Sequence, residues 1–200
     1  MREIIVAITG ASGSQYATRL IQRLAEHDVY LHLILSDAAR IVLAHEVGCV
    51  LSDDHRKNES ELSVFLGVSP SKIKLYALKE WFSPVASGSS GIDDMVIVPC
   101  SMGSLARIAC GMSENLIERS ADVILKEKKR LILVPRETPL SSIHLENMLK
   151  LSRMNVHMLA AMPGFYHGEK TVLSLIDFIV DRILDHLKLD GQQRRWGKGS

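Results

Sequence analysis

Cysteine is scarce in this chain: three residues in 200, Cys49, Cys100 and Cys110, widely spaced and without a C-x-x-C pair. The odd number and the spacing exclude a disulfide framework and a cysteine zinc site. They fit reduced, buried thiols in a cytoplasmic protein, with only Cys100 lying where a site is plausible. The eight histidines show no H-x-x-x-H or comparable ligand spacing, so no metal is expected. An excess of one charge is also missing. Twenty-four Lys and Arg against 23 Asp and Glu leave +1, which gives no basic face for nucleic acid. No apolar run approaches the roughly 18 residues that span a bilayer. Met1-Arg2-Glu3 leads directly into a short apolar strand, without the longer apolar stretch of a secretory signal. Neither membrane nor nucleic acid is expected as a partner. No internal repeat is visible.

What is present is a 46% hydrophobic chain, enough for one buried core and short for two domains. The expected organisation is a domain over 1–190 and a polar tail over 191–200 carrying Trp196. Ile4 to Ile8 is a continuous apolar run, as in a strand covered on both faces of a parallel sheet. Further strands are expected over Val29–Leu35, Ile73–Ala77, Met95–Val98, Leu131–Val134 and, more weakly, Val156–Ala160. Helices are expected over Gln15–Glu26, Ala38–Glu46, Leu116–Lys128 and Ser142–Arg153, with another after Ser104. The last helix is the clearest: Val172, Leu175, Ile176, Ile179, Val180, Ile183, Leu184 and Leu187 keep an i, i+3, i+4, i+7 rhythm. Leu51–Gly67 reads as polar and irregular, with a short helix over Glu59–Leu66. This alternation predicts a single α/β domain, Rossmann-like or flavodoxin-like, with a doubly wound, mostly parallel sheet and helices on both faces. Ligands in such sheets sit beyond the carboxyl ends of the strands.

The loops at those ends carry the chemistry. Thr9-Gly10-Ala11-Ser12-Gly13-Ser14 follows the first strand; its glycines allow close approach and the next helix offers N–H groups to a phosphate. It is neither G-x-G-x-x-G nor a P-loop, and a tight turn capped by Ser12 or Ser14 explains it as well. Ser36 follows the second strand, as helix cap or as ligand to a ribityl chain or phosphate. Ser101-Met102-Gly103-Ser104 repeats the small hydroxyl chemistry, and two such loops at neighbouring strands suit a mononucleotide. Ser87-Gly88-Ser89-Ser90-Gly91 reads either as a flexible linker or as a mobile flap with Trp81 and Phe82 on its stem.

Four cations stand outside those loops. Arg119 and Lys126, seven residues apart on one helix, share a face at about 10 Å; their local reading is a solvated face paired with Glu118 and Asp122. Arg182 reads as a partner of Asp185. Arg136 differs, because a charge just beyond a buried strand and between two prolines is held in place.

As a set these residues resemble the UbiX-type flavin prenyltransferases. The resemblance runs through Thr9-Gly10-Ala11-Ser12-Gly13, Ser87-Gly88-Ser89, Pro99-Cys100-Ser101, Asn115 to Arg119, Ala121-Asp122-Val123, Leu125-Lys126-Glu127 and Val134 to Glu137. It continues through Ser142 to Met148, Pro163-Gly164-Phe165-Tyr166 and Arg194-Arg195-Trp196, and is weakest over Leu51–Tyr76. It implies an enzyme that joins the dimethylallyl group of dimethylallyl phosphate to reduced FMN without a metal. The product, prenylated FMN, would serve a UbiD-type decarboxylase in ubiquinone biosynthesis or aromatic acid decarboxylation. The resemblance also implies a homododecamer with sites shared between subunits. Gly10, Ala11, Ser12, Ser36, Ser101, Met102, Gly103, Ser104 and Arg136 would hold FMN. Arg119, Lys126, Tyr166 and Arg182 would hold the prenyl phosphate. Ser12, Glu46 and Glu137 would move protons, and Trp81 would face allylic cation character with its π system.

Three other readings stand beside this one. Flavin-containing cysteine decarboxylases share the fold but need an early-helix His, for which only His45 offers itself, and an Asn in the loop where this chain has Pro99-Cys100-Ser101-Met102. An electron-carrying flavodoxin-like protein would not need the four cations. A direct decarboxylase would need acid or base groups beyond those that prenylation uses.

Overall fold

The computed structural model describes residues 1–165 and 171–189. Tyr166, Arg194, Arg195, Trp196 and the 191–200 tail lie outside the described residues. Strands β1 (Arg2–Ile8), β2 (Val29–Leu35), β3 (Ile73–Tyr76), β4 (Asp94–Cys100), β5 (Arg130–Pro135) and β6 (His157–Met158) form one sheet. Their order is β3-β2-β1-β4-β5-β6 and every pairing is parallel. The apolar runs account for the centre: every residue of β4 and all of Ile4–Ile8 are buried.

The order makes the direction of winding reverse between β1 and β4. Helices α1 (Ser14–Ala25), α2 (Asp37–Val47) and α3 (His55–Leu66) follow the first strands outward on one face, where Leu20, Ile21, Leu43 and Leu62 join one core with Ile4, Val6 and Ile8. Helices α4 (Met102–Ala109), α5 (Leu116–Lys126) and α6 (Ser142–Ser152) cover the other face. There Leu105, Ile117, Ile124 and Leu151 pack with Ile5 and Ala7. The final helix, α7 (Val172–His186), returns to the first face and packs on α1 through Ile179, Val180 and Ile183. Arg19 pairs with Asp177, and buried Arg23 with Asp181 at 3.2 Å, between these two helices. The pairs set which side of α7 faces out, and Arg182 is on it. No helix among the described residues is long and apolar enough to cross a membrane.

Three elements differ from the sequence reading. The short helix expected over Glu59–Leu66 is present and starts four residues earlier, at His55, because the Asp54 side chain caps it by accepting from Arg56 N at 3.1 Å. Only Leu62 and Leu66 give it a buried apolar stripe, so its periodicity is thin. Strand β4 runs through Pro99, whose missing N–H had ended the expected strand at Val98. Ser87–Gly91 is neither a linker nor a free flap. It forms a 3₁₀ turn, Gly88–Ser90, docked on the end of α5: Lys129 donates to the Ile92 carbonyl at 2.9 Å and Arg119 to the Ala86 carbonyl at 3.2 Å. Gly88 lies against the Glu127 carboxylate, a flexible side-chain end that would have to swing aside for a Cβ there.

Candidate active site

Thr9, the first residue past β1, stitches the reversal point together. Its hydroxyl donates to the Pro99 carbonyl at 2.8 Å and accepts from Ser101 N at 2.7 Å, which fixes the loops after β1 and β4 side by side. Ser36 N donates to the Ile8 carbonyl at 3.0 Å, which brings in the loop after β2. Gly10 lies against α2 so closely that a Cβ there would stand 2.5 Å from the Cβ of Ala38. Neither partner is a flexible side-chain end. Gly10→Ala is therefore expected to lower stability by about 1–3 kcal/mol through overpacking. Adding Ala38→Gly should recover part of the loss in urea unfolding; a Gly10→Ala protein as stable as the parent would refute the contact.

Neither Ser12 nor Ser14 caps α1. The N-cap is Gly13, at φ 116°, with no side-chain cap of its own. The capping group comes from α2: one oxygen of Glu46 accepts from Gly13 N at 2.9 Å and Ser14 N at 2.8 Å. Burial alone would raise the Glu46 pKa, but hydrogen bonds from the Ser12 hydroxyl and from the Ser14 and Gly13 N–H groups outweigh it, and the carboxyl is held below its usual value. A carboxylate at a helix N-terminus is stabilised by the helix dipole as well. Because the folded pKa is depressed, the stabilisation is present above the ordinary value of 4.5 and is lost as pH falls through the folded value. Glu46→Gln should cost roughly 1 kcal/mol at neutral pH, with the gap to the parent closing in denaturant titrations below that range. A constant gap down to acid pH would rule this out.

Arg136, past β5, crosses to the same turn and donates from Nε to the Ser12 carbonyl at 3.0 Å. That hydrogen bond holds it, in keeping with its sequence setting. Tyr16 on α1, which the sequence did not single out, lines the turn too. A Cβ on Gly13 would stand 3.0 Å from its ring. Burial raises its phenol pKa, and the Arg136 charge opposes that rise.

The hydroxyls of Ser36 and Ser101 cap α2 and α4, accepting from Ala39 N at 3.0 Å and Ser104 N at 3.2 Å. Ser101 Oγ also donates to Ser104 Oγ at 3.0 Å. The first N–H groups of α4, on Met102 and Gly103, have no carbonyl within the helix to bond. Nothing stands within 4 Å of a Cβ built on Gly103, so the loop is open to a ligand there. Ala11 and Met102 are buried while Ser12 is exposed. Open space beside free N–H groups, hydroxyls and a fixed guanidinium fits a phosphate-bearing flavin. Cys100 is fully buried and burial pushes its thiol up to about 12, so it is no nucleophile. Cys110, expected with the buried thiols, is exposed.

The remaining site residues are not gathered in one place. Arg119 pairs with Asp122 at 3.4 Å and Lys126 with Glu127; Glu118, expected among their partners, instead accepts from Glu114 N at 2.8 Å and holds Arg107, while the Asn115 side chain caps α5. Arg182 pairs with Asp185 at 3.1 Å, as its spacing suggests. Arg119 and Lys126 ride on α5 and Arg182 on α7, helices that pack on opposite faces of the sheet. Glu137 is half-buried and accepts from Thr138 N at 3.0 Å; the ion pair with Arg136 that adjacency suggests is absent among the described residues. Trp81 is 41% exposed beside a fully exposed Phe82.

Residues 1–187 match the Flavoprotein family model. The chain is 45% identical over 196 residues to the flavin prenyltransferase UbiX of Pseudomonas aeruginosa, covering 98% of this chain and 94% of that one. Among solved structures it is similar to AnUbiX (PadA1) in complex with FMN and dimethylallyl pyrophosphate, at 38% identity and TM-score 0.85 over 100% of this chain and 99% of that one. It is also similar to a dodecameric FMN-dependent UbiX-like decarboxylase from Escherichia coli O157:H7, at 37% identity and TM-score 0.83, covering 97% and 98%. With the strand order, the paired loops at its reversal point and this full-length identity together, the chain belongs to the flavoprotein family and, within it, to the UbiX-type flavin prenyltransferases.

Proposed function

We propose that this protein transfers the dimethylallyl group of dimethylallyl phosphate to reduced FMN and releases prenylated FMN to a UbiD-type decarboxylase. The reading rests on one observation above others: Glu46 and Arg136, from α2 and from the end of β5, both anchor on the Thr9–Ser14 turn at the reversal point. A carboxylate and a guanidinium therefore stand on the turn beside the loops after β2 and β4, which supports a flavin phosphate there with proton exchange next to it. Gly10, Ala11, Ser12, Ser36, Ser101, Met102, Gly103, Ser104 and Arg136 hold the flavin, which supplies the electron-rich ring system that takes up the prenyl carbon. Arg119, Lys126, Tyr166 and Arg182 hold the prenyl phosphate. A phosphate leaves best when several cations receive its charge, and it needs no general base. Ser12, Glu46 and Glu137 exchange protons as the new ring closes, and Trp81 screens the allylic centre.

Because α5 and α7 lie on opposite faces of one chain, the prenyl-phosphate cradle is completed between subunits. A dodecamer, as in the E. coli relative, provides such junctions. The catalytic unit is 1–190, and the protein works in the cytoplasm, where reduced thiols persist. The test is anaerobic incubation of reduced FMN with dimethylallyl phosphate or, separately, dimethylallyl pyrophosphate, followed by mass spectrometry of flavin freed by acid. A flavin heavier by one dimethylallyl unit is expected in the soluble fraction. Unchanged FMN with both donors would overturn the proposal.

A further inference from the structure

Opposite the flavin loops, the amino ends of β1, β4, β5 and β6 border a cavity of ≈ 650 Å³. Its lining departs from the rest of the chain in one backbone feature. Helices α3 to α7 all close with an N–H bonded to the carbonyl five residues back: Val68 to Ser63, Met112 to Arg107, Lys129 to Ile124, Val156 to Leu151 and Leu189 to Leu184. This turn needs one residue in the left-handed region, where glycine is favoured because a Cβ is strained. Helices α3 and α4 use Gly67 (φ 66°) and Gly111 (φ 71°); α5, α6 and α7 use Lys128 (φ 55°), Asn155 (φ 63°) and Lys188 (φ 58°). These three are the only non-glycine residues with positive φ among the described residues, and all three line this one cavity.

A lysine near a helix C-terminus also complements the helix dipole. It would do so equally one residue earlier, without the left-handed backbone, so the dipole does not explain the position. The neighbouring charges narrow the choice further. Asp94 holds both Arg2 at 2.6 Å and Arg130 at 2.7 Å, and Asp93 takes Lys129 at 3.3 Å. Both carboxylates lining the cavity are thereby engaged, and Lys128 and Lys188 have no carboxylate partner among the described residues. With the Asn155 amide they offer N–H donors to one space. Left-handed residues kept with polar side chains on a common cavity point toward a ligand, and two ammonium groups and an amide on one lining match a multiply charged oxyanion.

We propose that this cavity binds a phosphate-type oxyanion, inorganic phosphate or a phosphomonoester, through Lys128, Lys188 and Asn155, at a site separate from the flavin and prenyl-phosphate sites. The probes are inorganic phosphate and, in a parallel arm, glycerol phosphate, each given to the FMN-loaded oligomer of the parent and of Lys128→Gly/Lys188→Gly. By equilibrium dialysis the parent should hold one more anion per chain than the variant, with affinity falling about tenfold for each lysine lost. The variant should prenylate FMN at the parental rate. In phosphate-free buffer its Tm should equal or exceed the parent's, since glycine relieves the backbone, while added anion should raise the parent's Tm more. Binding of either probe at the extra site supports the assignment, and the two arms tell free phosphate from an ester. Equal anion stoichiometry and equal Tm response in parent and variant would overturn it.

Discussion

Glu137→Gln is expected to fold, bind FMN and release phosphate from dimethylallyl phosphate, yet to form the four-ring product about 10² to 10⁴-fold more slowly than the parent. The structure separates this outcome from a stability defect. Were Glu137 the ion-pair partner of Arg136, the variant would lose a charge interaction and loosen the guanidinium. Arg136 is instead secured on the Ser12 carbonyl, and Glu137 accepts a backbone N–H from Thr138 at 3.0 Å, a contact that the glutamine oxygen also makes. Structural loss should therefore be small, which leaves proton transfer as the function removed. Stopped anaerobic reactions, assayed for phosphate and for flavin mass in the same samples, measure the uncoupling. Product formed at the parental rate by folded Glu137→Gln protein would remove Glu137 from the chemistry.

Arg119→Ala and Arg182→Ala should each lose about 10²-fold or more, as removal of one donor to a developing anion does, and yet restore activity when mixed. Arg119 stands on α5, over the second core; Arg182 stands on α7, over the first. A site built from Arg119 of one subunit and Arg182 of another survives wherever each neighbour supplies the intact residue. Random reassembly at equal amounts makes that about a quarter of the sites in a symmetric oligomer. Refolding the two variants together should bring back activity near that fraction, while refolding either alone should not. Recovery absent from mixed oligomers of confirmed composition would mean that both arginines serve one chain, against the placement of their helices.

Both experiments depend on positions that local patterns do not encode. Continuous apolar runs such as Ile4–Ile8 and Met95–Val98 determined the buried parallel strands, because a strand covered on both faces has no polar side to alternate with. The eight-residue rhythm from Val172 to Leu187 determined the last helix in the same way, and the family motifs were legible as strings. The first turn of the helix that starts at His55 was not, since two buried leucines and an Asp cap leave little periodic signal ahead of Glu59. The capping of α1 was misread for a different reason. Ser12 and Ser14 are good local candidates, but the group that fills the place, Glu46, is 33 residues from Gly13 along the chain. Arg136 and Ser12 meet across 124 residues. Contacts of that span follow from strand order, and the reversal between β1 and β4 is a property of the whole sheet. Sequence determined which segments bury their side chains, because hydrophobic periodicity is local; only the tertiary structure decided which face each cation occupies, because that depends on the direction in which each crossover wraps the sheet.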